Sequence, residues 1–242
     1  NMTDLADVVI DTTGSPSGLP LAVQLATREV HVKSTTGQPA LGLAHATALV
    51  VDEISLVAYR NADLSSTTLP GPRPAVAALV GRLPDSVRRD CEARGLRVVG
   101  GDDPAALAAD LARDPAVPLG AADVVVVTTT AGIDAALRPR AGMEQGLVRP
   151  RGTIAVADVG QPRDALLAAL LDRGLRVSAS RCGDFREAIA VLADPASGLG
   201  QALGERMVTD RIPAGRLGEA LARAASPASI KVMVTHPGSL LA

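Results

Sequence analysis

Short apolar runs rich in β-branched residues alternate with Ala- and Leu-rich segments along the whole chain. This alternation is typical of parallel strands joined by crossover helices. Several of the runs are continuously apolar, as expected of parallel strands that are covered on both faces. The predicted strands are 8–11, 29–34, 55–59, 96–100, 124–128, 153–158, 176–180 and 231–235. The predicted helices are 18–26, 74–83, 85–94, 104–113, 163–173, 185–192 and 217–225. We therefore expect an α/β fold with a mostly parallel sheet between two layers of helices.

Part of this pattern occurs twice. Ala6-Asp7-Val8-Val9 returns 116 positions later as Ala122-Asp123-Val124-Val125, and Gly37-Gln38-Pro39 returns 123 positions later as Gly160-Gln161-Pro162. A third pair, 54–60 and 175–181, is 121 positions apart. The constant order predicts two repeats near 4–60 and 120–182, although two Ala/Val-rich strand-helix stretches can also look alike without duplication. We expect one domain over 1–242, with 61–74 as a linker between the repeats.

Composition narrows the range of functions. The chain has 242 residues, 24 Lys+Arg, 26 Asp+Glu, and only 1% aromatic residues. Nucleic-acid binding needs basic excess or aromatic stacking platforms, so we expect no nucleic-acid partner. Apolar runs stay below 18 residues and the first residues carry no signal-peptide pattern, which predicts no membrane partner and a cytoplasmic location. Two cysteines, Cys91 and Cys182, fit reduced thiols.

The strand ends resemble one enzyme family. The segment 6–16 is similar to the strand and turn beside the nicotinamide in medium-chain dehydrogenase/reductase proteins, in the sorbitol- and threonine-dehydrogenase-like branch. Segments 30–37 and 50–57 resemble the next two strands of that family. Further likeness, to the chain leaving the nucleotide domain and to the closing helix and strand, covers 180–188, 208–213, 217–225 and 230–232. The resemblance implies a Rossmann-like three-layer sandwich and NAD or NADP as cofactor. It also makes a homodimer plausible.

The chain departs from that family at two places. No G-x-G-x-x-G turn, which holds the pyrophosphate, occurs in the sequence. The nearest substitute, 69–74, contains three prolines, which remove three N–H donors. The zinc-bearing catalytic domain is also missing, and His31, His45 and His236 have no neighbour at ligand spacing, so we expect no zinc. A hydrogen-bonded structural role is the expectation for His31 and His45, and solvation for His236.

The candidate cofactor-binding residues follow predicted strands, where open α/β sheets bind ligands. They are Thr12, Thr13, Gly14, Asp102, Thr128, Thr129 and Thr130. For the hydroxyls, helix capping alone is the favoured interpretation, with ligand binding as the alternative. Asp102 ends a strand before a helix, where the resemblance implies an acid that holds the ribose 2′-hydroxyl; a helix-start role is the alternative.

The resulting hypothesis is a dehydrogenase-related protein that binds NAD(P) or a related nucleotide. No catalytic residue is assigned, because hydride transfer also needs a proton donor near the substrate. An oxidoreductase activity would therefore need residues outside this chain. The alternatives are a noncatalytic scaffold and a small-molecule-binding subunit with a degenerate nucleotide site.

Overall fold

The computed structural model describes residues 5–34, 37–64, 75–180 and 185–236. The chain divides into two compact units, 1–181 and 182–242. The strands are β1 Ala6–Asp11, β2 Ala26–Val32, β3 Ser55–Ala58, β4 Val76–Val80, β5 Arg97–Gly101, β6 Ala122–Val127, β7 Val148–Val156, β8 Arg176–Ala179, β9 Val208–Pro213 and β10 Lys231–Thr235. The helices are α1 Gly18–Leu25, α2 Thr47–Val51, α3 Asp85–Ala93, α4 Pro104–Arg113, α5 Thr130–Leu137, α6 Ala165–Leu171, α7 Phe185–Ala193, α8 Leu199–Arg206 and α9 Leu217–Ala224. The expectation of one domain over 1–242 stays a prediction.

The first unit is built on an eight-stranded sheet in the order β1-β2-β8-β3-β7-β6-β4-β5. All neighbouring strands are parallel except the central pair, β3 and β8, which are antiparallel. The sheet therefore consists of two oppositely directed parts. We call β1, β2 and β8 the first half-sheet, and β3, β7, β6, β4 and β5 the second half-sheet. With helices packed on it, this mostly parallel sheet is the predicted Rossmann-like α/β sandwich.

The strands that resemble each other in sequence take matching places about the central pair. β1 and β6, β2 and β7, and β8 and β3 lie at equal distances from the middle of the sheet. The central antiparallel contact joins Leu56 to Val177, which are 121 positions apart, as in the sequence repeat. The third strand of each repeat thus pairs with the second strand of the other repeat. The two repeats therefore exchange their third strands.

One apolar rung runs across all eight strands and explains why the sheet is stable in this register. It consists of Val9, Val30, Val177, Leu56, Ile154, Val125, Ala78 and Val99. The larger core cluster contains buried residues of this face together with buried residues of α1, α2, α4, α5 and α6. Burial of branched apolar side chains at about 25 cal/mol per Å² is the main stabilising contribution in such a core.

The opposite face differs between the two half-sheets. In the second half-sheet, Val124 and Val126 of β6 are fully buried in a smaller core that includes Val87 and Cys91 of α3. In the first half-sheet, Val8 and Ile10 of β1 are 51% and 60% exposed. These four residues are related by the same offset of 116 positions. The sheet face that is apolar and covered in one half is therefore open in the other.

The prediction of a helix over 74–83 is wrong. Residues Val76–Val80 form β4, a fully buried strand between β5 and β6. A short, continuously apolar Ala-containing run shows neither a period of 2 nor one of 3.6, so its pattern cannot separate a buried strand from a buried helix. The pattern also missed α5, α8 and β9. The predicted linker falls largely outside the described residues, which resume at 75.

The second unit contains α7 and α8 followed by a β9-α9-β10 unit whose two strands are parallel. Its buried side chains are few: Ile212 is 7% and Ala220 is 3% exposed. Arg223 pairs with Asp210 at 2.7 Å and ties α9 to β9. Among the described residues of both units, no helix combines the length and the apolar character that crossing a membrane requires.

Candidate functional site

The candidate residues lie on two opposite edges of the sheet, where an edge is the line formed by the ends of its strands. Because the half-sheets run in opposite directions, the carboxyl ends of β1 and β2 face one edge, while those of β4, β5, β6 and β7 face the other. Thr12, Thr13 and Gly14 lie on the first edge. Asp102 and the run Thr128–Thr130 lie on the second. The structure thus divides the predicted residues between two places, and one nucleotide cannot contact all of them.

The second edge holds a cleft of about 470 Å³. It is lined by the carboxyl ends of β4 and β5 and by the turn between β4 and α3. This volume falls within the range of small-molecule sites in proteins, about 300–1,000 Å³. The chain passes from β4 outward to β5 and then returns across β4 to β6, so strand order reverses between β4 and β6. Ligands of open α/β sheets bind at such reversals.

Asp102 lines this cleft and Asp103 does not. Asp103 is the N-cap of α4, where its carboxylate accepts a hydrogen bond from the N–H of Ala105 at 2.9 Å. The helix-start role suggested by the sequence thus belongs to Asp103. Asp102 is exposed, and its carboxylate has no hydrogen bond or ion pair to any other residue in the described ranges. It is therefore available to a ligand hydroxyl.

Two arginines supply positive charge beside Asp102. Arg82 lies in the turn after β4 and Arg88 lies on α3, and both line the cleft. A Cβ atom at Gly100 would come within 3.0 Å of Arg88 Nη2, so glycine at this position lets the guanidinium lie against the end of β5. The cleft therefore combines two carboxylates, Asp85 and Asp102, with two guanidinium groups that can pair with an anionic group of a ligand.

The turn between β4 and α3 differs from a phosphate-binding turn. It reads Gly81-Arg82-Leu83-Pro84, with Gly81 in the left-handed region at φ +79°. Pro84 is the N-cap of α3 and has no N–H, and Asp85 places a negative charge in the first helical turn. Sequence reasoning missed this turn because it interpreted β4 as a helix. The substitute that it considered, 69–74, lies outside the described residues.

The threonine run after β6 mainly serves the fold. Thr129 is the N-cap of α5, and its hydroxyl accepts from the N–H of Gly132 at 3.0 Å. The carbonyl of Thr128 accepts a hydrogen bond from the Gln161 side chain. Thr130 is 7% exposed, and its hydroxyl has no hydrogen-bond partner within the described part of the chain. Capping thus accounts for Thr129, and the three threonines lie on the cleft's edge of the sheet without lining it.

On the opposite edge, an aspartate that sequence reasoning did not select organises the turn after β1. Asp11 is 5% exposed, and its Oδ1 accepts from both the N–H and the hydroxyl of Thr13, at 2.9 and 2.7 Å. Gly14 is left-handed at φ +61°. A Cβ at Gly18 would lie 2.0 Å from Thr13 Oγ1, so only glycine fits there. The adjoining cavity, about 20 Å³, has room for about one water molecule.

Two histidines are hydrogen-bonded to protein side chains, as the sequence predicted. His45 Nδ1 lies 3.0 Å from Asp134 Oδ2, and its backbone N–H donates to the same carboxylate. His31 bonds Ser178 and Ser180 on β8 and just beyond it. In the described ranges, no three His, Cys, Asp or Glu side chains are grouped so that they could hold a metal ion.

Asp158 follows β7 on the same edge of the sheet as the cleft, does not line the cleft, and is bonded to protein groups. The N–H of Gly160 and the guanidinium of Arg163, 3.1 and 2.6 Å away, keep the pKa of the Asp158 carboxyl below its usual value. A paired carboxylate of this kind is a weaker candidate for ligand binding than Asp102.

Comparison of the chain with protein-family models, with curated proteins and with solved structures gives no significant match.

Proposed function

We propose that this chain is a dehydrogenase-related Rossmann-like protein that binds NAD, NADP or a related nucleotide at the carboxyl edge of the second half-sheet. The observation that carries the proposal is the position of Asp102. It lines the same cleft as the turn between β4 and α3, on the β5 side of β4 and next to the reversal of strand order between β4 and β6. In Rossmann folds an acid at this position accepts a hydrogen bond from the adenosine ribose.

Strand register supports the placement. Gly81 donates its N–H to the carbonyl of Gly101 at 3.0 Å, next to Asp102. On the other side of β4, Leu79 is paired with Val126 of β6. Gly81 and Thr128 each come two residues later, so they lie next to each other on this edge of the sheet. A nucleotide lying over Gly81 would have its ribose near Asp102 and its other end directed toward β6. Arg82 and Arg88 would then offset phosphate charge.

The missing glycines of the turn favour a second candidate function. Pro84 and Asp85 make the first turn of α3 a poor phosphate site, because one donor is absent and a carboxylate repels the anion. This observation favours a noncatalytic subunit that uses the cleft for a small molecule without a pyrophosphate, or a scaffold that binds none. Under both proposals, any oxidoreductase chemistry would depend on residues outside this chain.

Thermal unfolding with NAD, NADH, NADP and NADPH separates these candidates. A ligand present at about one hundred times its Kd stabilises the folded protein by about 2.7 kcal/mol. We expect a rise in Tm with at least one of the four nucleotides, and a smaller rise in the Asp102→Ala variant. The matched control is Thr12→Ala, an exposed residue that follows β1 on the opposite edge. It should leave the shift unchanged.

One outcome would count against nucleotide binding and another against its location in this cleft. If millimolar concentrations of all four compounds leave Tm unchanged, nucleotide binding is refuted and the second candidate function, a noncatalytic subunit or scaffold, replaces it. If a shift occurs but Thr12→Ala reduces it as much as Asp102→Ala does, the site does not lie at the second edge.

A further inference from the structure

An unbroken row of polar side chains crosses the open face of the first half-sheet. Glu29, His31 and Lys33 project from β2 and its end, and Ser178 and Ser180 project from β8 and its end. His31 Nδ1 lies 2.9 Å from Ser178 Oγ, and His31 Nε2 lies 2.9 Å from Ser180 Oγ. Lys33 Nζ lies 3.1 Å from Ser180 Oγ, and the Ser178 hydroxyl donates to Glu29.

Elementary donor and acceptor counting gives this row a single direction. The Glu29 carboxylate only accepts, so Ser178 gives it its one proton and must accept from His31 Nδ1. The neutral imidazole then has an unprotonated Nε2, to which Ser180 donates its hydroxyl proton. The Lys33 ammonium only donates, so it gives a hydrogen bond to Ser180 Oγ. The row therefore runs from Lys33 through Ser180, His31 and Ser178 to Glu29.

We propose that Ser180 is a nucleophile activated by His31, and that this face hydrolyses esters with an apolar acyl group. An unprotonated imidazole nitrogen within hydrogen-bond reach of a serine hydroxyl is the arrangement that nucleophilic catalysis requires. Glu29 acts through Ser178 as a positioning residue that stabilises the imidazolium. Lys33 donates to Ser180 Oγ and offsets the negative charge that develops on this oxygen as its proton passes to His31. Ser178 is 9% exposed, whereas Ser180 is more accessible, as an attacking group must be.

The acyl preference follows from the neighbouring strand. Ile10 of β1 is the register partner of His31, and Val8 is the partner of Glu29. Both side chains lie on the same face as the polar row and are more than half exposed. Because β1 and β8 are two strand spacings, about 10 Å, apart, an apolar acyl chain of about eight to ten carbons that starts at Ser180 and crosses β2 would reach and cover them. The site is on the first half-sheet and shares no residue with the cleft that contains Asp102.

The reaction balances with water as the second reactant. Ser180 Oγ attacks the ester carbonyl, and its proton passes to His31 Nε2. The bond to the alcohol oxygen breaks, and the leaving alcohol takes the proton from His31, which leaves an acyl-Ser180. Water then attacks the acyl group, its proton passes to His31 and on to Ser180, and the carboxylic acid is released.

A fluorophosphonate probe followed by peptide mass spectrometry tests the nucleophile directly. We expect modification at Ser180 and none at Ser17 or Ser86, which are exposed serines elsewhere in the same unit. Hydrolysis of p-nitrophenyl butyrate should be lost in Ser180→Ala and reduced about 100-fold in His31→Gln. Ile10→Ser should lower the rate with p-nitrophenyl decanoate more than with the butyrate, because only the longer acyl chain reaches β1. Asp102→Ala should leave hydrolysis unchanged, which keeps this proposal separate from nucleotide binding.

The pH dependence of ester hydrolysis distinguishes a catalytic role of this hydrogen-bonded row from a purely structural one. In the described ranges, the charged groups on the same face as His31 are Glu29 of β2, Lys33 just after β2, and Arg176 of β8, while β1 presents Val8 and Ile10. Glu29→Gln removes the anion that stabilises the imidazolium, so the midpoint of the rate profile should move to lower pH and the maximal rate should fall. Absence of probe labelling at Ser180, equal labelling of Ser17, or a folded His31→Gln variant with the full rate would overturn the proposal.

Discussion

Two aspartates that occupy the same place in the repeat should differ sharply in their contribution to stability. Asp123 at the start of β6 is 1% exposed. It accepts from Arg149 Nε at 2.6 Å and from the N–H of Val76 at 2.8 Å, and so joins β6 to β7 and β4. Asp7, 116 positions earlier, is exposed and accepts from the Thr27 hydroxyl at 2.9 Å. The perturbation is Asp123→Ala, with Asp7→Ala as the matched control.

The expected loss in the free energy of unfolding depends on the partner that each substitution leaves without its carboxylate. Removing one partner of a buried ion pair costs about 3–5 kcal/mol, because the other charge stays buried without compensation. The Arg149 side chain retains 11% exposure, so the lower end, about 3 kcal/mol, applies. Asp7→Ala removes one exposed hydrogen bond and should cost about 0.5 kcal/mol or less. For a chain of this length, the Asp123 loss corresponds to a decrease in Tm of about 6–12 °C.

Urea unfolding followed by far-ultraviolet circular dichroism measures both values, since the chain has no Trp and a single Tyr. The midpoint should fall strongly for Asp123→Ala and hardly for Asp7→Ala. Equal losses in the two variants, or a loss below about 1 kcal/mol for Asp123→Ala, would show that the ion pair does not hold β4, β6 and β7 together as argued.

Two further predictions concern Tyr59 and Gly18. Burial, followed by the hydrogen bond to Asp90, raises the pKa of the Tyr59 phenol far above the ordinary value for tyrosine, so near-ultraviolet absorbance should show no tyrosinate until the protein unfolds. Stability from this group is complete below about pH 10 and is lost as pH rises; a normal titration of the folded protein would contradict the contact. Gly18→Ala should cost about 2 kcal/mol through loss of the hydrogen bonds to Asp11. Gly101→Ala, where a Cβ meets no atom within 4 Å, should cost less than about 0.5 kcal/mol in the same urea assay.

The local pattern was sufficient to predict much of the secondary structure. The predicted helix 104–113 coincides with α4, and the predicted strand 231–235 coincides with β10. Both segments carry strong local signals: Asp103 and Pro104 start the helix, and the last strand is short and β-branched. The pattern failed at β4, whose apolar run has no distinguishing period, and at α5, whose first residue, Thr130, was interpreted as part of a strand-end site.

The site was less predictable, because its residues come together only through strand order. The sequence singled out Asp102 from its position after a strand and before a helix, and the structure places it in a cleft. It did not single out Arg82 or Arg88, because β4 was predicted as a helix over 74–83 and the turn that contains Arg82 was therefore not recognised. Nor could local pattern show that Thr13 and Thr128 lie on opposite edges. That separation follows from the antiparallel pairing of β3 with β8.

The sequence by itself determined the α/β class, most strand positions and the recurrence of three strand motifs, because these depend on local periodicity and composition. Tertiary structure alone decided that the third strands exchange places, that Val124 is buried while Val8 is exposed, and that Asp123 is paired in the interior while Asp7 is exposed. The repeats are alike in sequence, yet β6 lies beside β4 and α3, whereas β1 is the outermost strand of the sheet. Burial depends on which elements pack against a residue, and that is a nonlocal property which no short stretch of the chain contains.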